Sequence, residues 1–433
     1  MNMLKVYFSV EGIFPTLLAT LVWSSILVAP LSIAQEAIES AEATEETIQS
    51  YVQARREEFD QCIDHLQSLA ASRGIADELI EPVVGNLSFL PNVIELDRSQ
   101  PEFTRTFAEY LSARVTDRRV ANGRQMLVQH ADFLQELTIE YGVPGQYLVA
   151  FWGLETNFGS YLGDTPTLDA LATLGCDPRR SDFFTNELIF ALHLLDEHSL
   201  DPKVMRGSWA GAVGHTQFMP SNYRQYAVDG DGDGRIDLWG SEKDALASAA
   251  NFLRELGWQA TERWGREVML SPEFDFSESG RSHTKPITEW RSLGITRVDG
   301  LGLPELDMEA SIVLPAGHNG PAFAAYSNFN VIMGWNPSEY YAISVGHLAD
   351  RIAGGGGLVV KPPSGAPRLS RALVTDVQTS LKALGFDPKE IDGLFGSDTR
   401  LALKYFQHAN GLVPDGFLDQ KTLDRLRAQN ISQ

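Results

Sequence analysis

The stretch FWGLETNFG, Phe151 to Gly159, sets one carboxylate, Glu155, among aromatic and apolar residues. At helical spacing Leu148, Phe151, Trp152 and Glu155 share a face. A carboxyl group on a face that would otherwise be core must be paired, or partly desolvated with its pKa raised toward neutrality, the state a general acid requires. Glu155 is therefore the first candidate for proton transfer. A rim position or a buried salt bridge is the bland alternative for the same residue.

Three further constellations carry chemistry. DGDGDGRID, Asp229 to Asp237, places Asp229, Asp231, Asp233 and Asp237 at positions 1, 3, 5 and 9 of a calcium loop, with Gly234 at position 6 and Ile236 at position 8. Position 12, normally a bidentate Glu, is Gly240, so the last ligand has to come from beyond the loop, with Asp244 or Glu242 available. Without a cation the alternating aspartates repel, which weighs against a plain Asp/Gly turn. The ion is expected to be structural, since no adjacent cluster would activate water. GSWAGAVGHTQFMPSNY, Gly207 to Tyr223, packs small residues around Ser208, His215 and Gln217, as a polymer-binding groove or a tight helix-packing turn would. NFNVIMGWNPSEYYAISVGHLADRI offers Asn328, Trp335, Asn336 and Tyr341. Aromatics beside amides suit sugar recognition, with core packing as the competing account for Trp335 and Tyr341.

The elements that must position these residues are mostly helical. Apolar residues recur at three-and-four spacing from Ile48 to Tyr141, then in the Glu155 segment, which Gly159 is expected to close. The same pattern returns in Leu168–Leu174, Phe183–Leu195 and Ala245–Gly257. Between Trp264 and Leu314 short runs split by Gly, Ser and Pro predict a small β-rich insertion. GGGGLVVKPPSGAP, residues 354–367, marks a linker, so the domains are read as catalytic 48–353, linker 354–370 and a short helical module 371–433. In that module DGLFGSDT at Asp392 and DGFLDQKT at Asp415 form an internal repeat. From Lys361 on, ten Lys and Arg face eight Asp and Glu, near +2, in a chain whose net charge is −22. That difference in charge balance predicts an independent binding module.

At 433 residues the chain can bury a sizeable core plus an appended domain, and its net charge of −22 with no basic stripe argues against a nucleic-acid partner. Residues 1–34 carry Lys5, an apolar run and small residues at Ser32 and Ala34, the pattern of an export signal cleaved after Ala34. An uncleaved anchor holding the protein to a membrane is the alternative. Gln35 to Thr47 holds five glutamates and no basic residue and reads as an acidic spacer. Export makes a Cys62–Cys176 disulfide the expected state, with two buried free thiols as the other.

With WGLETNFG, TLDALATL, DPRRSDFF, SWAGAVGHTQFMPS, the calcium loop and NVIMGWNPS in that order, residues 58–352 resemble the lytic murein transglycosylase B family. The resemblance implies a mainly α, α+β chain with a lysozyme-like core that cleaves peptidoglycan glycan strands. DGLFGSDTRLALKYFQHANGLVPDG resembles the common three-helix peptidoglycan-binding domain. By position, Glu155 matches the family's single acid/base, and Ser208, Gln217 and Asn336 match residues lining sugar subsites. Tyr341 matches a groove tyrosine. Asp229, Asp231, Asp233, the Arg235 carbonyl and Asp244 match its calcium ligands. Trp335 and Phe252 stand where some relatives have tyrosine, keeping the aromatic face and losing a hydroxyl. The resemblance also implies a periplasmic, monomeric enzyme with structural Ca²⁺ and no organic cofactor. In it Glu155 would protonate the glycosidic oxygen and then deprotonate the muramic acid 6-hydroxyl, leaving a 1,6-anhydro end. A muramidase that admits water and a non-catalytic wall-binding protein are the rival readings.

Overall fold

The structure is a computed structural model describing residues 31–99 and 105–430, with side chains described for 49–98 and 105–429. Of the expected leader, residues 1–34, positions 1–30 lie outside the described residues, and 31–34 open the first helix. Among those described, no helix is long and apolar enough to cross a membrane. Met1–Tyr51 forms a unit of its own. Its acidic stretch 35–47 lies within the helix Leu31–Ser72, in keeping with Ala, Glu and Gln being good helix formers.

The second unit, Val52–Gln433, is built around the helix Gly145–Thr156, in which ten of twelve residues are buried. A helix apolar all round belongs at the centre of a core. Pro144 precedes it in an extended conformation, and it ends at Thr156, earlier than Gly159, because Asn157 and Phe158 turn left-handed at φ 51° and 61°. Asp117–Gln129, Ala131–Tyr141, Glu242–Glu255 and Glu339–Ile352 pack against it. Phe151 and Trp152 are fully buried there, each contributing about 2–3 kcal/mol of apolar burial. A second core lies between Thr167–Gly175 and Ser181–His198. Cys62 and Cys176 are disulfide-bonded across 114 residues and tie this core to the incoming N-terminal helix.

The β-rich insertion is a five-stranded antiparallel sheet in the spatial order Thr284–Pro286, Glu309–Val313, Ala322–Ala325, Gly265–Met269, Thr296–Arg297. It extends past the expected limit at Leu314, since Ala322–Ala325 pairs on both sides, with Ser311↔Ala325 and Gly265↔Ala325 in register. Asn328, fully buried, accepts from Gln259 N and donates to the carbonyls of Gln259 and Glu262. It is a brace inside the fold, not a sugar contact, because backbone groups occupy its amide.

The C-terminal module has helices Arg371–Ala383, Ser397–Ala409 and Gln420–Asn430. Its repeat is structural. Gln378 donates to Asp392 Oδ1, the Leu394 carbonyl and Thr399, and receives Gly393 N. Gln407 does the same with Asp415, Phe417, Thr422 and Gly416. The module is nonetheless not independent. Lys404 donates to the Ser277 and Ser279 carbonyls, His318 pairs with Asp415 at 2.7 Å, and the linker's Arg368 pairs with Glu109 at 2.6 Å. The linker is anchored as well, because Val359 N and Val360 N both donate to the Glu267 carboxylate. Composition signals flexibility in a Gly/Pro run, but backbone donors that find a carboxylate remove it.

Candidate active site

Glu155 lies one residue before the end of the central helix and is the helix's half-buried carboxylate. Two donors converge on its Oε1: the Trp335 indole N–H at 3.1 Å and the Tyr341 hydroxyl. Trp335 closes the helix Ser327–Trp335, and Tyr341 sits in the first turn of Glu339–Ile352, whose N-cap Ser338 accepts from Tyr341 N. Burial, and then the Glu155 carboxylate beside it, hold the Tyr341 phenol well above its ordinary pKa, so it stays a donor. The Trp335 ring is wedged among Phe151 at 4.5 Å, Phe218 at 5.3 Å and Phe252 at 5.3 Å. Phe252 also stacks on Tyr226 at 4.7 Å and is buried. Both aromatics therefore pack, and the polar tip of Trp335 points at the acid.

The segment Gly207–Phe218 is pinned to the same helix. Trp152 donates its indole N–H to His215 Nδ1 at 3.0 Å, and the Thr156 hydroxyl donates to the His215 carbonyl at 2.7 Å. Burial lowers the His215 pKa, in keeping with a neutral ring that accepts at Nδ1. Gly159, at φ 74°, faces that imidazole so closely that a Cβ would stand 2.3 Å from its Cε1, which is why the third residue past the helix has no side chain. Val213 bridges to both Gly207 and Phe218 and folds the segment into a tight loop. Ser208 Oγ accepts from Ala212 N. Gln217, left-handed at φ 50°, donates its amide to the carbonyls of Leu162 and Gly214. Its Oε1 has no protein partner among the described residues, and strain of this kind in a non-glycine residue collects at functional sites. Asn336, half-buried, caps the helix ending at Trp335 through its backbone N–H.

In the acidic loop, ligand oxygens of Asp229, Asp231 and Asp244 lie within 4.8 Å of one another. Asp244 is 1% exposed and accepts from Gly230 N, Asp231 N and Asp237 N with no side-chain cation on it among the described residues. A buried carboxylate beside two others is costly unless a cation joins them, so the donor set fits a hard, oxygen-ligated ion. Asp233 and Asp237 lie outside that trio. Asp233 accepts from Arg235 N, and Asp237 from Trp239 N and Gly240 N.

The two donors on Glu155 lie 180 and 186 residues away in sequence. Residue types alone leave Trp335 and Tyr341 between sugar recognition and core packing. What could have pointed to their partner is that each is an aromatic with one polar tip in an otherwise apolar segment.

Residues 58–350 match the model of the Transglycosylase SLT domain, and residues 370–426 that of a peptidoglycan binding domain. The chain is 31% identical over 299 residues to the membrane-bound lytic murein transglycosylase B of Escherichia coli K12, covering 66% of this chain and 81% of that protein. It is similar to SltB3 from Pseudomonas aeruginosa in complex with NAG-anhNAM-pentapeptide, at 42% identity and a TM-score of 0.81, over 85% of this chain and 99% of that one. The E. coli lytic transglycosylase Slt35 in complex with calcium matches at 30% identity and a TM-score of 0.60, over 67% of this chain and 92% of that one. The chain thus belongs to the transglycosylase SLT family, as a peptidoglycan lytic transglycosylase with a lysozyme-like, mainly helical core and a C-terminal peptidoglycan-binding domain.

Proposed function

We propose that Glu155 is the single acid/base of this reaction and that Trp335 and Tyr341 position it. The supporting observation is that both donate to Oε1. An oxygen already accepting two donors has little capacity left to carry a proton, so the transferable proton belongs on Oε2. From there it passes to the glycosidic oxygen between N-acetylmuramic acid and N-acetylglucosamine as that bond breaks and C1 becomes oxocarbenium-like. The substrate acetamide stabilises C1. The carboxylate then takes the proton of the muramic acid 6-hydroxyl, whose oxygen closes on C1 to give the 1,6-anhydro end. A tethered hydroxyl outruns water through proximity, which is worth several kcal/mol when aligned.

Gln217 Oε1, Ser208 and Asn336 are assigned to the sugar subsites, Gln217 as an acceptor for an acetamide N–H or a hydroxyl. Asp229, Asp231 and Asp244 would hold Ca²⁺, with Asp233, Asp237 and the Arg235 carbonyl completing the shell; the ion would neutralise the loop's charge and brace the helix Glu242–Glu255. The substrate is taken to be peptide-bearing glycan in the periplasm, in line with what SltB3 is crystallised with and with the membrane-bound relative.

Glu155→Gln tests the acid. Turnover should fall by roughly 10²- to 10⁴-fold with the melting temperature and wall binding nearly intact, since the amide keeps the shape and loses the proton. Activity above a few percent of wild type removes Glu155 from the mechanism. Mass spectrometry of the products should find anhydro ends, about 18 Da lighter than hydrolysed ones.

A further inference from the structure

Where the C-terminal module meets the catalytic domain, the two enclose a cavity of about 260 Å³ lined by three arginines, Arg105, Arg281 and Arg400. In a chain of net charge −22 such a concentration is unusual. They come from three separate places: Arg105 precedes the helix Phe107–Arg114, Arg281 lies in the β-rich insertion, and Arg400 is on the module helix Ser397–Ala409. One carboxylate, Glu339, lines the cavity and pairs with Arg281 at 3.2 Å. Arg400 lies over the Phe395 ring at 5.2 Å, and Arg105 is exposed. An adjoining cavity of about 350 Å³ shares Arg281, Glu339, Ser397 and Arg400 and adds His283, Lys404 and Asp415. Asp415 is committed to His318, and Lys404 to the Ser277 and Ser279 carbonyls. The net charge facing the first cavity is positive.

Tyr110, Met333, Leu369 and Phe395 supply apolar wall between the guanidinium groups. Asn336, next to the tryptophan that holds Glu155, lines the same space. Planar forks spaced around an apolar cleft are the chemistry that recognises carboxylates on a short peptide.

We propose that this cleft binds the carboxylate-bearing peptide stem of the glycan, so that the docked module completes a substrate site that the catalytic domain lacks alone. The proposal rests on the reading that the substrate is peptide-bearing glycan, and its main test needs no turnover.

The full chain is titrated at low salt with the free stem pentapeptide and with the same peptide fully amidated. The acid form should bind about tenfold tighter, and Arg281→Gln and Arg400→Gln should each erase that preference. The wild-type comparison needs no variant, so a variant that fails to fold leaves the test standing. Equal affinity for the two peptides, binding of neither, a preference surviving in both variants, or a site that takes inorganic phosphate but not the pentapeptide would each overturn the proposal. In turnover, the kcat/KM ratio of peptide-bearing over peptide-stripped glycan should fall about tenfold in Arg400→Gln, and a ratio unchanged in both variants overturns it too. Absence of glycan cleavage by the wild type would sink the proposed reaction, while the peptide site would still be decided by binding.

Discussion

Tyr341→Phe removes one oxygen and leaves the ring. Tyr341 is 5% exposed and its hydroxyl donates to Glu155 Oε1, so water does not take over the lost bond. A hydrogen bond to a charged group contributes about 1.5–3 kcal/mol, and a buried one belongs toward the upper part of that range. If this energy holds the carboxyl in its working orientation, kcat falls about ten- to a hundredfold, each tenfold step being close to 1.4 kcal/mol, while KM changes less than about threefold. Trp335→Phe removes the second donor, and its ring stays clamped between Phe151 and Phe252. The two donors share one oxygen, so they couple, by about 0.5–3 kcal/mol, and the double variant should lose less than the product of the single losses. Initial rates of anhydro-muropeptide release at graded substrate concentrations separate kcat from KM. If KM rises with kcat unchanged, these side chains contact sugar and the positioning role is wrong.

Chelation should lower the melting temperature, because an ion present at a hundred times its Kd stabilises by about 2.7 kcal/mol; an unchanged melting curve in excess chelator, with no metal found by elemental analysis, rules out the Asp229–Asp231–Asp244 site. Cys62→Ser opens a 114-residue loop and should cost about 2–4 kcal/mol in denaturant titrations, the entropic bound for such a loop being near 5; identical midpoints for oxidised wild type and variant would refute it. The His318–Asp415 contact should make module docking pH-dependent. The hydrogen bond that the His318 ring donates to Asp415 raises the His318 pKa, so its contribution is complete below about pH 6.5 and lost as pH climbs through the raised value. Burial works to raise Asp415, but His318 and backbone donors outweigh it and hold it low, so its share is present above about pH 4 and lost only as pH falls through the lowered value. Amide exchange at 317–320 should therefore quicken from neutral to alkaline pH, and His318→Gln should flatten the profile; protection constant to pH 9 would contradict the assignment.

The helix that carries Glu155 and the acidic loop were legible because their signals are local. A lone Glu at helical spacing from Phe151 and Trp152, and aspartates alternating with glycine, each occupy a few consecutive residues. The strand Ala322–Ala325 was not, since four residues buried on both faces show no alternation and are too few to separate strand from helix. The partners of Asn328 and Trp335 were hidden for a different reason. An amide or an indole has the same composition whether it faces a sugar, a backbone carbonyl or a carboxylate, and its partner is set by packing between segments roughly 70 and 180 residues apart.

The docked module shows how a repeat can be read correctly and still mislead. Its two halves share the same buried glutamine, Asp-Gly turn and threonine, so self-similarity specifies the inside of each. The interface lies in what differs. Asp392 and Asp415 each give one oxygen to the internal glutamine, but the second oxygen of Asp415 takes the His318 backbone N–H and ring. Gly317 records the same contact from the other side. Its φ of 70° alone would admit Asn or Asp, which tolerate left-handed backbone. A Cβ there, however, would stand 2.8 Å from the Phe417 ring and 2.9 Å from the Asp415 carboxylate. Glycine is thus required at 317 by a residue a hundred positions away, and only for as long as the module stays docked.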